Sequence, residues 1–428
     1  MTDKTLSVYF ENFEVGLITA DTMNRMSFQY SFSWLGNPKA FPISITMPCR
    51  EILYTPEIAH SFFTNLLPEG LVRKSIAQSL GVSLDNDFEL LARIGGECAG
   101  ALWIGEGKPV SQEEQVYTVI QQDELYQRIT DGNVFSSVLG KKKARLSLAG
   151  AQDKLPIRLN GDEVLLPQNG CPSTHIMKFP SSDYRDLPAN EVFTVSLAKH
   201  IGIRTVDAWI FKVRDIETCM VSRYDRYIDS VENIRRMHQE DMCQALGFPY
   251  FKKYESEGGP SFRDCLQLVD RVCTEPVIER DQLLRWLVFN TLIGNSDAHA
   301  KNASLLFYPD GKVELAPFYD LVCTRSYTNL DKEMAMSIGS TFDPGRVGPR
   351  QFDLLAEDCG LSPKWLRGFV LTMAEILSTV LDSGLPRLRM EESVQQRVLP
   401  TMRRQTRNLR NSFRQAAGIG TEKVLPFK

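Results

Sequence analysis

Between Leu292 and Asn302 the chain reads L-I-G-N-S-D-A-H-A-K-N, and a second carboxylate, Asp320, ends the later tetrapeptide P-F-Y-D. Asp297 stands five residues before the amide of Asn302. A carboxylate that accepts a hydroxyl proton, then an amide, then a second carboxylate is the order in which protein kinases set a base and two Mg²⁺ ligands around the phosphates of ATP. Mg²⁺ takes hard oxygen ligands in a tight octahedron, and carboxylates together with phosphate oxygens supply them. The expected chemistry is ATP- and Mg²⁺-dependent phosphoryl transfer, with Asp297 as catalytic base and Asn302 and Asp320 on the metal. Asp, Asn and His also gather in turns, where their side chains bond nearby backbone. The spacing therefore needs support from its flanks.

Those flanks read as core elements. Leu283 to Ile293 is a largely apolar helix of buried type. Ala303 to Tyr308 is a buried strand, Pro309 to Gly311 a turn, and Lys312 to Leu315 a second strand. Further upstream, Leu6–Phe10, Val15–Thr19 and Met26–Phe32 are short alternating strands. Pro56 to Ile94 is mostly helical with a break near Gly81, Ala99 to Ile104 is a returning strand, Gly105 to Glu114 a linker and Asp123 to Ile129 a short helix. Strands dominate from Ser147 to about Arg223 around one helix, Asn190 to Ile201, and helices dominate from Met242 onward. The expectation is an α+β chain with a two-lobed protein-kinase-like fold: a small α+β N-terminal module (1–110), a β-rich nucleotide-binding lobe (111–225) and an all-helical catalytic lobe (226–428).

Two lysines in the β-rich region suit phosphate. Lys178 ends the strand H-I-M-K, from which it projects as a point charge, and Glu191 on the next helix is placed to pair with it. An exposed edge-strand lysine would look the same from this segment alone. Lys154 closes L-S-L-A-G-A-Q-D-K, whose small residues Ala149, Gly150 and Ala151 let backbone amides approach phosphate. This is neither a Walker A loop nor a three-glycine kinase loop. The basic run Lys141 to Arg145 just before it has the composition of a solvated loop.

Composition sets the class. The chain has 428 residues, with 49 Lys+Arg against 53 Asp+Glu, which gives no general nucleic-acid signal. Its nine cysteines are scattered, odd in number and never C-x-x-C, which argues against a disulfide framework or a zinc site and for a reducing cytoplasm. No apolar run has membrane length and the start, M-T-D-K-T-L, is polar, so a cytoplasmic protein with no membrane contact is expected. Charge is uneven. From Arg387 onward there are ten Lys+Arg against three Asp+Glu.

Several long segments occur in a fixed order: N-L-L-P-E-G (Asn65–Gly70), I-G-G-E-C-A-G-A (Ile94–Ala101), S-L-A-G-A-Q-D-K (Ser147–Lys154), T-H-I-M-K-F-P (Thr174–Pro180), S-R-Y-D-R (Ser222–Arg226), H-Q-E-D-M-C-Q-A-L-G (His238–Gly247) and K-Y-E-S-E-G-G-P (Lys253–Pro260). With the Asp297 loop and P-F-Y-D, nearly the whole chain resembles the HipA family, the Ser/Thr kinase toxins of bacterial HipA–HipB toxin–antitoxin systems. The resemblance implies that Ala149, Gly150, Ala151, Gln152, Asp153 and Lys154 wrap the ATP phosphates and that Lys178 faces them. It makes Ser222, Arg223 and Tyr224 the adenine hinge, although the family often carries Glu and Phe where Ser222 and Tyr224 stand. His299, Lys301, Asn302 and Tyr319 are implied beside the nucleotide, Asp320 on Mg²⁺, and Ser147 as an autophosphorylated serine. Phosphate on Ser147 would place a like charge in the cradle and silence the enzyme. A glutamyl-tRNA synthetase is the implied target class, and the implied partner is a HipB-like helix-turn-helix antitoxin that binds operator DNA and recruits the kinase.

Two other readings stay open: a catalytically inactive DNA-bound corepressor, and a small-molecule or lipid kinase. The intact Lys178, Asp297, Asn302 and Asp320 argue against the first. At the C-terminus, Val394 to Phe413 reads as helical apart from Pro400, with Arg403, Arg407, Arg410 and Arg414 on one face. That face is either solvated or in contact with DNA phosphates or an acidic partner.

Overall fold

The computed structural model describes residues 4–132, 134, 145–146, 152–180, 183–184, 186–383 and 391–419. The N-terminal module is an antiparallel sheet of β1 (Lys4–Phe10), β2 (Phe13–Ala20), β3 (Met26–Tyr30), β4 (Leu53–Tyr54) and β5 (Leu102–Gly105) in the order β4-β3-β2-β1-β5. Alternation sends Leu6 and Val8 of β1 into the core. The expected strand Met26–Phe32 stops at Tyr30, because Ser31 caps the short helix α1 (Phe32–Leu35), its hydroxyl accepting from Trp34 N at 3.1 Å. Helices α2 (Pro56–Thr64), α3 (Gly70–Leu80) and α4 (Asp87–Ile94) follow, with α3 ended by Gly81 at φ +65°.

A six-stranded sheet follows, of β6 (Tyr117–Val119), then, after α5 (Gln122–Thr130), β7 (Lys154–Asn160), β8 (Glu163–Pro167), β9 (His175–Lys178), β10 (Ala208–Val213) and β11 (Ile216–Ser222), ordered β10-β11-β9-β7-β8-β6. Its central strands bury both faces. Met220 packs into an apolar core shared with the N-terminal module, whereas Cys219 and Val221 pack with helix α6 (Leu187–His200) into the core of the C-terminal lobe. The boundary expected near residue 110 thus runs across one continuous core, and α6 joins the helical lobe.

The C-terminal lobe holds α7 (Met242–Leu246), α8 (Phe262–Val272), α9 (Pro276–Ile293), α10 (Pro349–Asp358), α11 (Pro363–Ser383) and α12 (Leu399–Ala416). It is not the all-helical lobe expected from the sequence. It also contains the hairpin β12 (Arg226–Ile228) and β13 (Ile234–Arg236), and an antiparallel sheet of β14 (His238–Asp241), β15 (Ser304–Phe307) and β16 (Val313–Leu315). The polar sequence of β14 hides it, because His238, Glu240 and Asp241 are buried by pairing instead of by apolarity. His238 Nε2 lies 2.9 Å from Ile43 O, and Glu240 accepts from Ser44 Oγ at 2.7 Å and Ile45 N at 2.9 Å. No helix among the described residues is long and apolar enough to cross a membrane.

Pro400 does not break the C-terminal helix. It sits just after a π-helical turn, Val394–Val398, that runs directly into α12. Arg403 and Arg410 do not form the free basic face read from their spacing. Arg403 Nε donates to Leu381 O at 3.0 Å, and Arg410 Nη1 donates to Ser378 Oγ at 2.8 Å, so both are turned onto α11. Arg407 has no hydrogen bond or ion pair to them or to other described residues.

Candidate active site

Residues from all three regions line one cleft of about 1390 Å³, among them Lys154, Lys178, Glu191, Tyr224, Asp297, Asn302 and Asp320. On its floor, the second half of α9, from Leu283, is largely apolar and mostly buried, down to Gly294, whose φ of +77° ends the helix and releases the loop. Asn295 Oδ1 accepts from Asp297 N at 3.1 Å, and Asn302 Nδ2 donates to Asp297 O at 2.8 Å. The five-residue spacing thus closes a loop that holds Asp297 at its main chain and leaves the Asn302 Oδ1 to serve as a ligand. The Asp297 side chain is 55% exposed and faces the cleft. Tyr254 OH donates to its Oδ1 at 2.7 Å, and the Tyr254 ring stands edge-on to His299.

Opposite, Lys178 is ion-paired to both Glu191 and Asp320, as its place at the strand end and the following helix suggested for Glu191. Burial disfavours the Lys178 charge, but Asp320 and Glu191 outweigh it and raise the pKa above that of a free lysine. Burial likewise works against the Asp320 carboxylate, yet Lys178 and Lys154 hold its pKa at about 2. Asp320 sits at φ +54°, a left-handed conformation rare for a residue with a side chain. Lys154 starts β7 directly across from Lys178 in the antiparallel register. Two like charges on opposed positions repel, and burial and Lys178 depress the Lys154 pKa despite Asp320. An anion in the cleft would relieve both.

These features fit a nucleotide and a hard cation. Two facing lysines suit phosphate oxygens, an anionic Asp320 and the Asn302 amide oxygen suit Mg²⁺, and the His299 Nδ1 is buried without a hydrogen-bond partner among the described residues. Burial holds the His299 pKa below its ordinary value, favouring the neutral ring. No cluster of three or more His, Cys, Asp or Glu among the described residues could hold a metal alone, so a cation here needs phosphate oxygens to complete its shell.

Other expected residues fall as follows. Gln152 Nε2 donates to Phe179 O at 3.2 Å, and Asp153 O accepts from Phe179 N at 3.2 Å, tying the end of the turn to the end of β9. Ser147, Ala149, Gly150 and Ala151 lie outside the described residues. Ser222, Arg223 and Tyr224 line the cleft, and Tyr224 is stacked on Tyr319 with 22° between the rings. The Arg223 guanidinium is not presented to a ligand. It enters a buried cluster with Glu97 at 2.9 Å and Asp225 at 2.7 Å. Glu97, which also receives Arg226 and Arg236, belongs to the N-terminal module. Lys301 too is committed elsewhere, to Asp241 Oδ2 at 2.8 Å and Asn65 Oδ1 at 2.6 Å. Tyr319 OH, in turn, donates to Lys301 O at 2.7 Å.

The reading of the sequence missed Tyr254, Glu97, Asn65 and Glu69 as parts of this site. Each lies in a motif quoted above, but no spacing ties any of them to Asp297.

Comparison with known proteins gives consistent matches. The HipA N-terminal domain matches residues 6–105, and the HipA-like C-terminal domain matches residues 146–381. The chain is 34% identical over 370 residues to the serine/threonine-protein kinase toxin HipA of Shewanella oneidensis, covering 83% of this chain and 84% of that one. It is 37% identical over 395 residues to Y4mE of Sinorhizobium fredii, described as a kinase, covering 89% and 93%. Among solved structures, the complex of Shewanella oneidensis HipA, HipB and operator DNA contains a chain that matches with a TM-score of 0.81 at 30% identity, covering 97% of this chain and 98% of that one.

Proposed function

The chain belongs to the HipA family of serine/threonine-protein kinase toxins, and from that premise we propose that its cleft transfers the γ-phosphoryl group of Mg²⁺-bound ATP to the hydroxyl of a serine or threonine in a protein. The observation that carries the reading is the pairing of Lys178 with Glu191 and Asp320 across the cleft from the Asp297–Asn302 loop. Lys178 and Lys154 would bind phosphate oxygens, and Asp320 with Asn302 would hold Mg²⁺. Bound Mg²⁺ would neutralise charge on the transferred phosphoryl group. Asp297, held at its main chain by Asn295 and Asn302, accepts the proton of the acceptor hydroxyl. Tyr224 and Tyr319 form the apolar wall expected for adenine, with the main chain of Ser222 to Tyr224 as the hinge.

The biological reading follows the family. The chain acts in the cytoplasm as the toxin of a toxin–antitoxin pair, phosphorylates a translation protein of the glutamyl-tRNA synthetase class, and silences itself by autophosphorylation at Ser147. Its partner is a HipB-like antitoxin, and through it operator DNA, as corepressor. The match to a HipA chain solved with HipB and operator DNA supports that partnership.

Incubation of the purified chain with γ-labelled ATP, Mg²⁺ and a cell lysate tests the reading. Protein bands should be labelled, and Asp297→Asn should lower transfer by about 10²–10⁴-fold while ATP binding stays within a few-fold. Label confined to a lipid or small-molecule fraction, or equal loss of ATP binding in Asp297→Asn, would count against it.

A further inference from the structure

The N-terminal module reaches the catalytic loop through two residues that the chemistry above does not use. Asn65 and Glu69 lie in the N-L-L-P-E-G segment between α2 and α3. Lys301 Nζ donates to Asn65 O at 3.1 Å and to Asn65 Oδ1 at 2.6 Å, and Glu69 Oε1 lies 3.9 Å from it. The Asn65 amide donates onward to Ser61 O at 2.7 Å and Phe248 O at 2.9 Å. The other Glu69 oxygen accepts from Lys253 Nζ at 2.8 Å. Lys253 precedes Tyr254, whose hydroxyl donates to Asp297 Oδ1 at 2.7 Å. One carboxylate of the N-terminal module therefore touches the lysine inside the Asp297–Asn302 loop and the lysine next to the tyrosine that holds Asp297.

Glu69 is poorly explained by packing or local stability. It is 6% exposed, which is rare for a glutamate. It occupies the N-cap position of α3, where an acidic side chain would ordinarily bond the free amides, but it makes no such bond. Gly70, at φ +56°, makes the turn into the helix and leaves the carboxylate to the two lysines. Its Oε1 is buried without a hydrogen bond among the described residues, and the nearby charge of Lys301 helps to offset that. Burial opposes the Glu69 charge, but Lys301 and Lys253 outweigh it and lower its pKa.

Resting on the reading of Asp297 as base, we infer that Glu69 and Asn65 are positioning residues for phosphoryl transfer: the N-terminal module holds the base through Lys301 on one side and through Lys253 and Tyr254 on the other. The kinase lobes alone then lack part of their own catalytic support.

Glu69→Gln in the full chain keeps the shape and removes the charge. Hydrogen exchange should rise in residues 295–304 and 252–256 and stay unchanged in β9 and β11. In the transfer assay kcat should fall roughly ten- to a hundredfold, with KM for ATP within about twofold, because a small displacement of the base slows transfer without moving the nucleotide. Tyr254→Phe should reproduce the kcat loss without the change in exchange at 300–304. Glu69→Gln should add nothing in a Lys253→Met, Lys301→Met background. If Glu69→Gln folds poorly, Asn65→Asp, which keeps an acceptor for Lys301 but loses the bonds to Ser61 and Phe248, should still raise exchange at 295–304. Unchanged exchange in that loop, or a kcat equal to that of the parent chain, overturns the inference. A parent chain that transfers no phosphate defeats the reading of Asp297 instead, and the exchange data alone then decide whether the clamp exists.

Discussion

Lys178 and Lys301 are both almost fully buried, both ion-paired and both expected beside a nucleotide, but they are built into the protein differently. Lys178 is shared between Glu191 and Asp320, and Asp320 is also the residue a cation would claim. Its partners are thus among the groups a phosphate and a cation would compete for. Lys301 is surrounded by acceptors built into the fold: Asp241, which also caps α7 by accepting from Gln244 N at 2.9 Å, and the two oxygens of Asn65. A buried ammonium shared with a metal ligand is suited to chemistry, whereas one surrounded by fixed acceptors is suited to holding two elements together. Residue type and burial do not distinguish the two lysines, but their partners do.

The largest expected effect lies on the Lys178 side. Lys178→Met should reduce kcat/KM for ATP by about 10³-fold or more, since a buried positive charge facing the phosphates is worth more than one in water. Turnover with labelled ATP measures it. On the other side, Lys301→Met should lower unfolding stability by about 3–5 kcal/mol, because Asp241 is left buried without its cation and Glu69 keeps only Lys253. Its ATP affinity should stay within about threefold. Urea denaturation and nucleotide titration together check this, and an ATP affinity as weak as that of Lys178→Met would erase the distinction.

The two sides should also titrate in opposite directions. Asp320 has an unfolded pKa of 3.8 and a folded pKa of about 2, so the unfolded chain binds the proton first. The stability from Asp320 is complete above pH 3.8 and lost as the pH falls toward 2. Glu240 lies next to the Asp241 that holds Lys301, and burial raises its pKa from 4.5 to about 8, against its bonds from Ile45 and Ser44. Here the folded protein binds the proton, so stability is complete below pH 4.5 and declines as the pH rises to 8. Glu240→Gln should flatten the denaturation profile between those values, and Asp320→Asn should not.

The smallest effect concerns the C-terminal arginines, which extend the comparison to committed and free cations. Arg403→Ala should cost about 1 kcal/mol by removing the bonds to Leu381 O. It should leave the salt dependence of operator binding, measured with the antitoxin, unchanged. Arg407→Ala should reduce that slope by about one if Arg407 meets a phosphate. A slope change in Arg403→Ala and none in Arg407→Ala would reverse the assignment.

Much of this was legible in the sequence because it is local. The apolar run to Ile293, the turn residues after it and the strand from Ser304 are set by periodicity within a dozen residues, and they put Asp297 and Asn302 in one loop. The spacing of Lys178 and Glu191, thirteen residues apart, was short enough to anticipate their pairing. The order of Asp297, Asn302 and Asp320 named the chemistry, and the longer motifs named the family.

Tertiary structure alone decided which cations are free and what holds the loop. Lys301 meets an asparagine 236 residues away in the chain, and Arg223 meets Glu97 at a separation of 126. Arg403 and Arg410 share a helical face by spacing, but the packing of α12 against α11 turned them inward. The polar strand β14 is buried because loop residues 43–45 supply its partners. Backbone preference and apolar period act between neighbours and can be read in order along the chain. The partner of a buried charge is chosen by whichever distant group the fold brings within hydrogen-bond reach, and no local pattern records that choice.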